Sequence, residues 1–199
     1  MKQIAIGRLL RSGTTGFVVG CRVNQLDAPS FGALVRVPLA SNYDVYGIIY
    51  DIHIEDDGLV RQLITAQDVP EEVLLDNREN RNVPVEIAVL ALGYQQDERI
   101  YHLLPPRPPL SLDAIYLCTM EEVAKFTAVG RFGYFRHILR DPSRPIDELL
   151  AAHLLAARTA HEKVGNTRWY TDALTELIAL LRDDYQSLMT VLNAAGEIE

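Results

Sequence analysis

The sequence predicts an α+β fold: a small N-terminal β-barrel of six to seven strands, followed by a C-terminal α-helical region that ends in an antiparallel helical hairpin. Three observations carry this reading. The first hundred residues alternate between short β-branched runs and Gly, Asn, Asp or Pro punctuation. A proline-rich stretch, Pro105-Pro106-Arg107-Pro108-Pro109, follows them. The last fifty residues then carry apolar side chains at three- to four-residue spacing.

Residues 4–10 form the first β run and end at Gly13-Thr14-Thr15-Gly16, where glycines accept the backbone angles of a tight turn. Residues 17–23 and 33–37 form the second and third runs, with Pro38 marking a strand end. The segment from Val45 to Ile54 is the strongest β signal. Period-two alternation predicts that Ile48, Tyr50, Ile52 and Ile54 share one face and that Ile49, Asp51, His53 and Glu55 share the other. Asp56-Asp57-Gly58 reads as a turn, with residues 59–65 returning as a hairpin partner. Asp68, with Glu71 three residues on, predicts a capped helix running to about Asn80. Residues 85–94 and 100–104 complete the β-rich part. So many short strands indicate a closed or nearly closed barrel, and Gly20 and Gly47 fit places where a side chain would clash.

The organisation expected is therefore a barrel over residues 1–104, a stiff connector over 105–110 and a mainly helical domain over 111–199. Residues 114–118 read as a further strand. Thr119-Met120-Glu121-Glu122 opens a helix with a capping box, reaching about Val129, and Asp141-Pro142-Ser143-Arg144-Pro145 breaks the helical stretch after it. The stripe Ile146, Leu149, Leu150, His153, Leu154, Ala157 defines the next helix, which Gly165 stops. One final helix carries two apolar sets: Tyr170, Leu174, Leu177, Leu181, Leu188 and Leu192, and beside them Trp169, Ala173, Ile178, Leu180 and Val191. A stripe this wide exceeds what one neighbouring helix covers. Trp169, Tyr170, Leu180 and Val191 are accordingly the candidate interface residues for self-association or a protein partner, the alternative being that the barrel and the helices at 119–140 cover both faces.

Composition narrows the function. A formal net charge of -8 and a pI near 5.1 oppose direct contact with nucleic acid or an anionic membrane. No apolar run approaches the ~20 residues of a membrane-spanning helix, and the first residues read as a strand rather than a secretory signal. With two cysteines, Cys21 and Cys118, read as reduced core thiols, the expected setting is the cytoplasm. No lysine follows a glycine, which excludes a Walker A loop, and GxGxxG, GxSxG, HExxH and CxxC are all missing. No cofactor is implied.

Three weaker constellations remain. Asp51, His53 and Glu55 put two carboxylates and an imidazole on one strand face, a set able to hold Mg2+ or Mn2+ for hydrolysis; a solvated strand face ending in an Asp-Asp-Gly turn explains them more simply. Gly13-Thr14-Thr15-Gly16 offers backbone N–H groups to a phosphate, or is a plain turn. Arg131, Phe132, Tyr134, Phe135, Arg136 and His137 interleave aromatic and basic residues as single-strand binders do, or pack helices with the arginines in water.

The runs Ile6-Gly7-Arg8-Leu9-Leu10, Phe17-Val18-Val19-Gly20 and above all Val45-Tyr46-Gly47-Ile48-Ile49-Tyr50-Asp51-Ile52 resemble the small HerA/ATP-synthase-type barrel domain. That domain is shared by HerA-type translocase ATPases and the N-terminal crowns of rotary ATP synthase subunits. The resemblance extends to about Pro109. It implies an oligomerisation or docking barrel. HerA-type proteins continue into a P-loop ATPase, whereas this chain turns into helices without a Walker A lysine, so either the barrel acts alone or it engages an ATPase supplied by another chain. The leading expectation is a non-enzymatic interaction or assembly module. A metal-dependent hydrolase or nuclease using Asp51, His53 and Glu55 is the first alternative, and a nucleic-acid-binding barrel the second.

Overall fold

The computed structural model describes residues 3–22, 29–39, 42–54, 58–79, 85–141 and 144–197. In chain order the elements are β1 (Ala5–Ser12), β2 (Gly16–Cys21), β3 (Leu34–Leu39), β4 (Tyr43–Ile54), α1 (Leu59–Thr65), α2 (Glu71–Glu79), β5 (Val85–Gln96), β6 (Arg99–Tyr101), β7 (Ala114–Leu117), α3 (Met120–Thr127), α4 (Phe135–Leu139), α5 (Ile146–Lys163), α6 (Trp169–Leu180) and α7 (Tyr185–Glu197). All strand pairs are antiparallel, in the order β2-β1-β7-β3-β4-β5-β6, and a further β2–β5 pairing closes six of them into a barrel, with β6 as an extra strand on β5. Closure leaves the six staves without a free edge.

The barrel interior is solid. Ile6, Leu9, Phe17, Val19, Val35, Val45, Ile49, Ile87 and Ile115 are among the buried side chains that fill it. Each is worth about 1.5–3 kcal/mol relative to exposure. Gly47 lies on this inner face, where an added Cβ would collide with Val89 and come within 2.8 Å of the Leu90 carbonyl oxygen; the strand stays continuous only because the side chain is missing.

Leu34, Tyr46, Ile48, Leu90 and Leu92 point out of the barrel on β3, β4 and β5 and join a second core with Phe126, Tyr134, Phe135, Ile138, Leu149, Leu154, Trp169 and Leu177. The helices therefore cover one wall of the barrel. At this seam Arg36 of β3, nearly buried, pairs with Asp44 of β4 at 3.0 Å and with Glu122 of α3 at 3.1 Å. Glu122 also completes the capping box, taking the Thr119 N–H at 2.8 Å while its own N–H donates to the Thr119 hydroxyl. One carboxylate thus fixes both the start of α3 and its attachment to the barrel.

Several expectations are corrected. Residues 59–65 form α1 instead of a strand. The hairpin position they would fill is taken by β5, whose Val85 pairs with Ile54 at the end of β4. Helix α2 begins at Glu71, with Val73 and Leu74 N–H groups donating to the Pro70 carbonyl oxygen, so Asp68, at φ 59°, lies outside it. The predicted final helix is two helices. Asp184 ends the link between them by accepting from the Ser187 N–H at 3.1 Å and hydroxyl at 2.6 Å, an N-cap for α7. The terminal unit is consequently α5, α6 and α7, the second arm of the expected hairpin being divided in two.

The division at residue 104 also shifts. Strand β7 comes from beyond the proline connector and sits between β1 and β3. The His102 carbonyl oxygen, just before the connector, accepts from His137 Nε2 at 3.1 Å and from Arg136. Barrel and helices share a seam and a stave, so they should unfold together. A fragment ending at residue 104 lacks β7 and exposes the outer apolar wall. It is expected to give a poorly dispersed amide NMR spectrum, whereas the full chain melts in one calorimetric transition; a folded 1–104 fragment would contradict this.

Candidate functional site

The second half of β4 sets the candidate site. Pairing with β5 slips between Ile49 and Asp51, so that Tyr50 is an extra residue with no β5 partner. Ile49 and Ile52 pack with the barrel interior, Tyr50 with the outer core, and Asp51 is exposed. The bulge breaks the predicted alternation: Ile52 does not share a face with Tyr50, and Ile49 does not share one with Asp51. It turns two consecutive residues outward, and it spares Asp51 the interior that strict alternation from Ile49 would impose.

Asp51 and His53 do meet, with Nδ1 of His53 3.2 Å from Asp51 Oδ2. Glu55, the third residue of the predicted cluster, lies outside the described residues. Two partners were not foreseen. Glu86, opposite His53 in the register, places Oε2 3.7 Å from His53 Nε2, and Arg11 of β1 donates to both Glu86 oxygens at 3.3 and 2.7 Å. Among the described residues no group of three His, Cys, Asp or Glu side chains is arranged to hold a metal ion. Both cysteines are free, Cys21 buried and Cys118 half-buried. Burial raises both thiols above their ordinary pKa.

Two adjoining clefts flank Tyr50. The larger, about 610 Å3, is walled by Phe31, Tyr50, Asp51, Ile52, Asp141, Arg144 and Pro145. The smaller, about 300 Å3, lies against the β1–β2 hairpin and includes Arg11, Ser12, Thr15, Gly16, Tyr50 and Arg144 in its wall. Arg144 and Tyr50 line both, the guanidinium carbon lying 4.3 Å from the ring centre. The Gly13–Gly16 segment is a hydrogen-bonded turn, Gly13 N–H donating to the Gly16 carbonyl oxygen at 2.8 Å.

The aromatic side chains of the run at 131–137 are internal packing, while Arg131 and Arg136 are exposed. Tyr134 and Phe135 are fully buried, and rings link Tyr46, Phe126, Tyr134, Phe135, Phe132 and Trp169 at centroid distances of 4.7–5.7 Å. Of the interface candidates, Trp169 and Val191 belong to the chain's own core. Trp169 donates its Nε1–H to the Thr127 carbonyl oxygen at 3.2 Å and stacks on His161. Tyr170 is half-buried beneath Arg158, and Leu180 is 46% exposed. Val191→Glu should therefore cost several kcal/mol of stability, whereas Leu180→Glu should stay within about 0.5 kcal/mol of wild type in urea denaturation.

Four histidines are buried: His102, His137, His153 and His161. Burial lowers the pKa of each, and His153, hydrogen-bonded at 3.1 Å to the Tyr134 hydroxyl, falls to about 4. Unfolding restores a pKa near 6.5, so the unfolded chain binds protons first. This stabilisation is complete above about pH 6.5 and is lost as pH falls towards 4, with His153 alone accounting for on the order of 3 kcal/mol. Urea midpoints measured across that window should fall with pH. The slope should be shallower in His153→Gln, and an unchanged slope would remove His153 from the account.

The fold defines a class: a closed six-stranded antiparallel barrel with helices on one wall. No known protein family matches the chain, and no curated protein matches its sequence. No helix among the described residues is long and apolar enough to cross a membrane.

Proposed function

We propose that the protein is a non-enzymatic interaction module in which the segment joining β4 to β5 docks onto a protein partner. One observation carries this reading. Antiparallel neighbours can be joined by a two-residue turn, yet here thirty residues, 55–84, intervene, and none of residues 58–78 is buried. Ile64 is 77% exposed, and Leu59, Val73, Leu74 and Leu75 are also exposed. Helices this short do not persist on propensity alone and gain stability by burying an apolar face. The segment carries eight acidic residues and three arginines, five of the chain's eight net negative charges. Its partner is accordingly an apolar groove rimmed by lysine or arginine, on a different protein, because two copies of so acidic a segment repel each other.

In this reading the filled barrel is scaffold, used for assembly as a HerA/ATP-synthase-type barrel would be. An ATPase on another chain is one kind of partner that fits, and the cytoplasm is the setting that suits two free thiols. The double variant Ile64→Glu, Leu74→Glu should leave the urea midpoint unchanged and weaken binding to a purified partner about tenfold or more. Equal affinity for wild type and variant would sink the docking role. A metal-dependent hydrolytic activity lost in Asp51→Ala would replace this reading with the enzymatic one.

A further inference from the structure

We propose that the two clefts at Tyr50 form one binding site for a small organic phosphate, with the phosphate between Arg11 and Arg144 and the organic body in the larger cleft. This goes beyond the docking reading and does not rest on it.

Arg11, Arg144 and Thr15 line the smaller cleft, and among the described residues no aspartate or glutamate lines it. Arg144 is the informative residue. Its guanidinium carbon lies 4.3 Å from the Tyr50 ring centre, its Nε is 3.4 Å from Asp141 Oδ2, and its Nη1, shut off from water, has no hydrogen-bond partner among the described residues. The side chain as a whole is 22% exposed and lines the cleft, where an anionic oxygen would meet its accessible N–H groups. Arg11 is held in place by its two bonds to Glu86. A carboxylate presents acceptors in one plane, whereas a phosphate presents three oxygens and can meet donors arriving from the hairpin and from Arg144 together.

Glu86 and Asp141 offset the charge of the two arginines. Affinity then comes from directed hydrogen bonds and from the body of the ligand more than from net charge. The larger cleft suits such a body: its volume of about 610 Å3 is in the range of small-molecule sites, and Phe31, Tyr50 and Pro145 supply apolar walls with Asp51 beside them.

The test is titration of the full chain at fixed ionic strength with inorganic phosphate and with phenyl phosphate, followed by calorimetry and amide NMR. Phenyl phosphate should bind about tenfold more tightly than inorganic phosphate, shift the Arg144 Nε resonance and the amides of residues 13–16, and lose about tenfold or more in affinity in Arg144→Gln. No binding of phenyl phosphate, equal affinity in a folded Arg144→Gln, or shifts confined to other regions would overturn the proposal. Should Arg144→Gln fail to fold, the wild-type shift map and the Thr15→Val variant decide it: shifts at 13–16 with weaker binding in Thr15→Val support the site, and their absence refutes it.

Discussion

The strands β4 and β5 are apolar on both faces along much of their length, and a single barrel can bury only one of those faces. Val45, Ile49, Ile87 and Val89 fill the interior, which leaves Tyr46, Ile48, Leu90 and Leu92 pointing outward. A wall of that kind left in water would be an aggregation surface. The helical layer is therefore a requirement of the barrel, and its amphipathic faces are matched to this one wall. The same requirement explains why β7 arrives late in the chain: the segment after the connector both closes the barrel and delivers α3 onto the outer face.

Polar groups at this seam are accommodated by pairing or by remaining neutral. Arg36 is held by carboxylates from β4 and α3, so its charge is matched on both sides of the seam. The histidines follow the second route. Thr127 donates its hydroxyl to the Val123 carbonyl oxygen at 2.8 Å and can only accept from His161 Nε2, also at 2.8 Å. That leaves His161 Nδ1 as an acceptor facing the Asn166 amide at 3.4 Å, so the ring is neutral by the logic of its contacts. His102 donates Nε2–H to the Phe126 carbonyl oxygen at 3.0 Å, and its buried Nδ1 has no acceptor to welcome a second proton. The expected acid sensitivity is thus a direct consequence of how the second core is packed.

Much of this was legible in the sequence because it depends on local signals. The strand runs, the Thr119 capping box, the stop at Gly165 and the core position of His153 follow from spacing and cap chemistry. The parts that were not legible depend on what lies across space. Alternation predicts where Ile52 and Asp51 face only if the register is unbroken, and the bulge at Tyr50 leaves no mark in the residues themselves. Leu59 and Val60 with Leu63 and Ile64 fit a helix as well as a strand, and the choice rests on β5 occupying the edge of β4. The break before α7 had a signal in Asp184 and Ser187, outweighed by the continuing apolar stripe. Glu86 and Arg11 could be joined to Asp51 and His53 only once the strand order was known.

Both regions with functional promise trace back to the end of β4. Up to Ile49 the strand is enclosed by the barrel on one side and by helices on the other, and no ligand or partner could reach it. The bulge at Tyr50 turns the strand's polar residues outward at the margin of the helical layer, opening the clefts that Arg144 overhangs. Four residues later the strand leaves the sheet and feeds the acidic segment that carries α1. The two features answer to different physics, since the clefts are lined by opposed charges while residues 58–78 of the segment hold apolar side chains in water. The few residues between them are pinned on both sides, Tyr50 against the outer core and Ile52 against the inner one, so both features hang on the same packed stretch of β4.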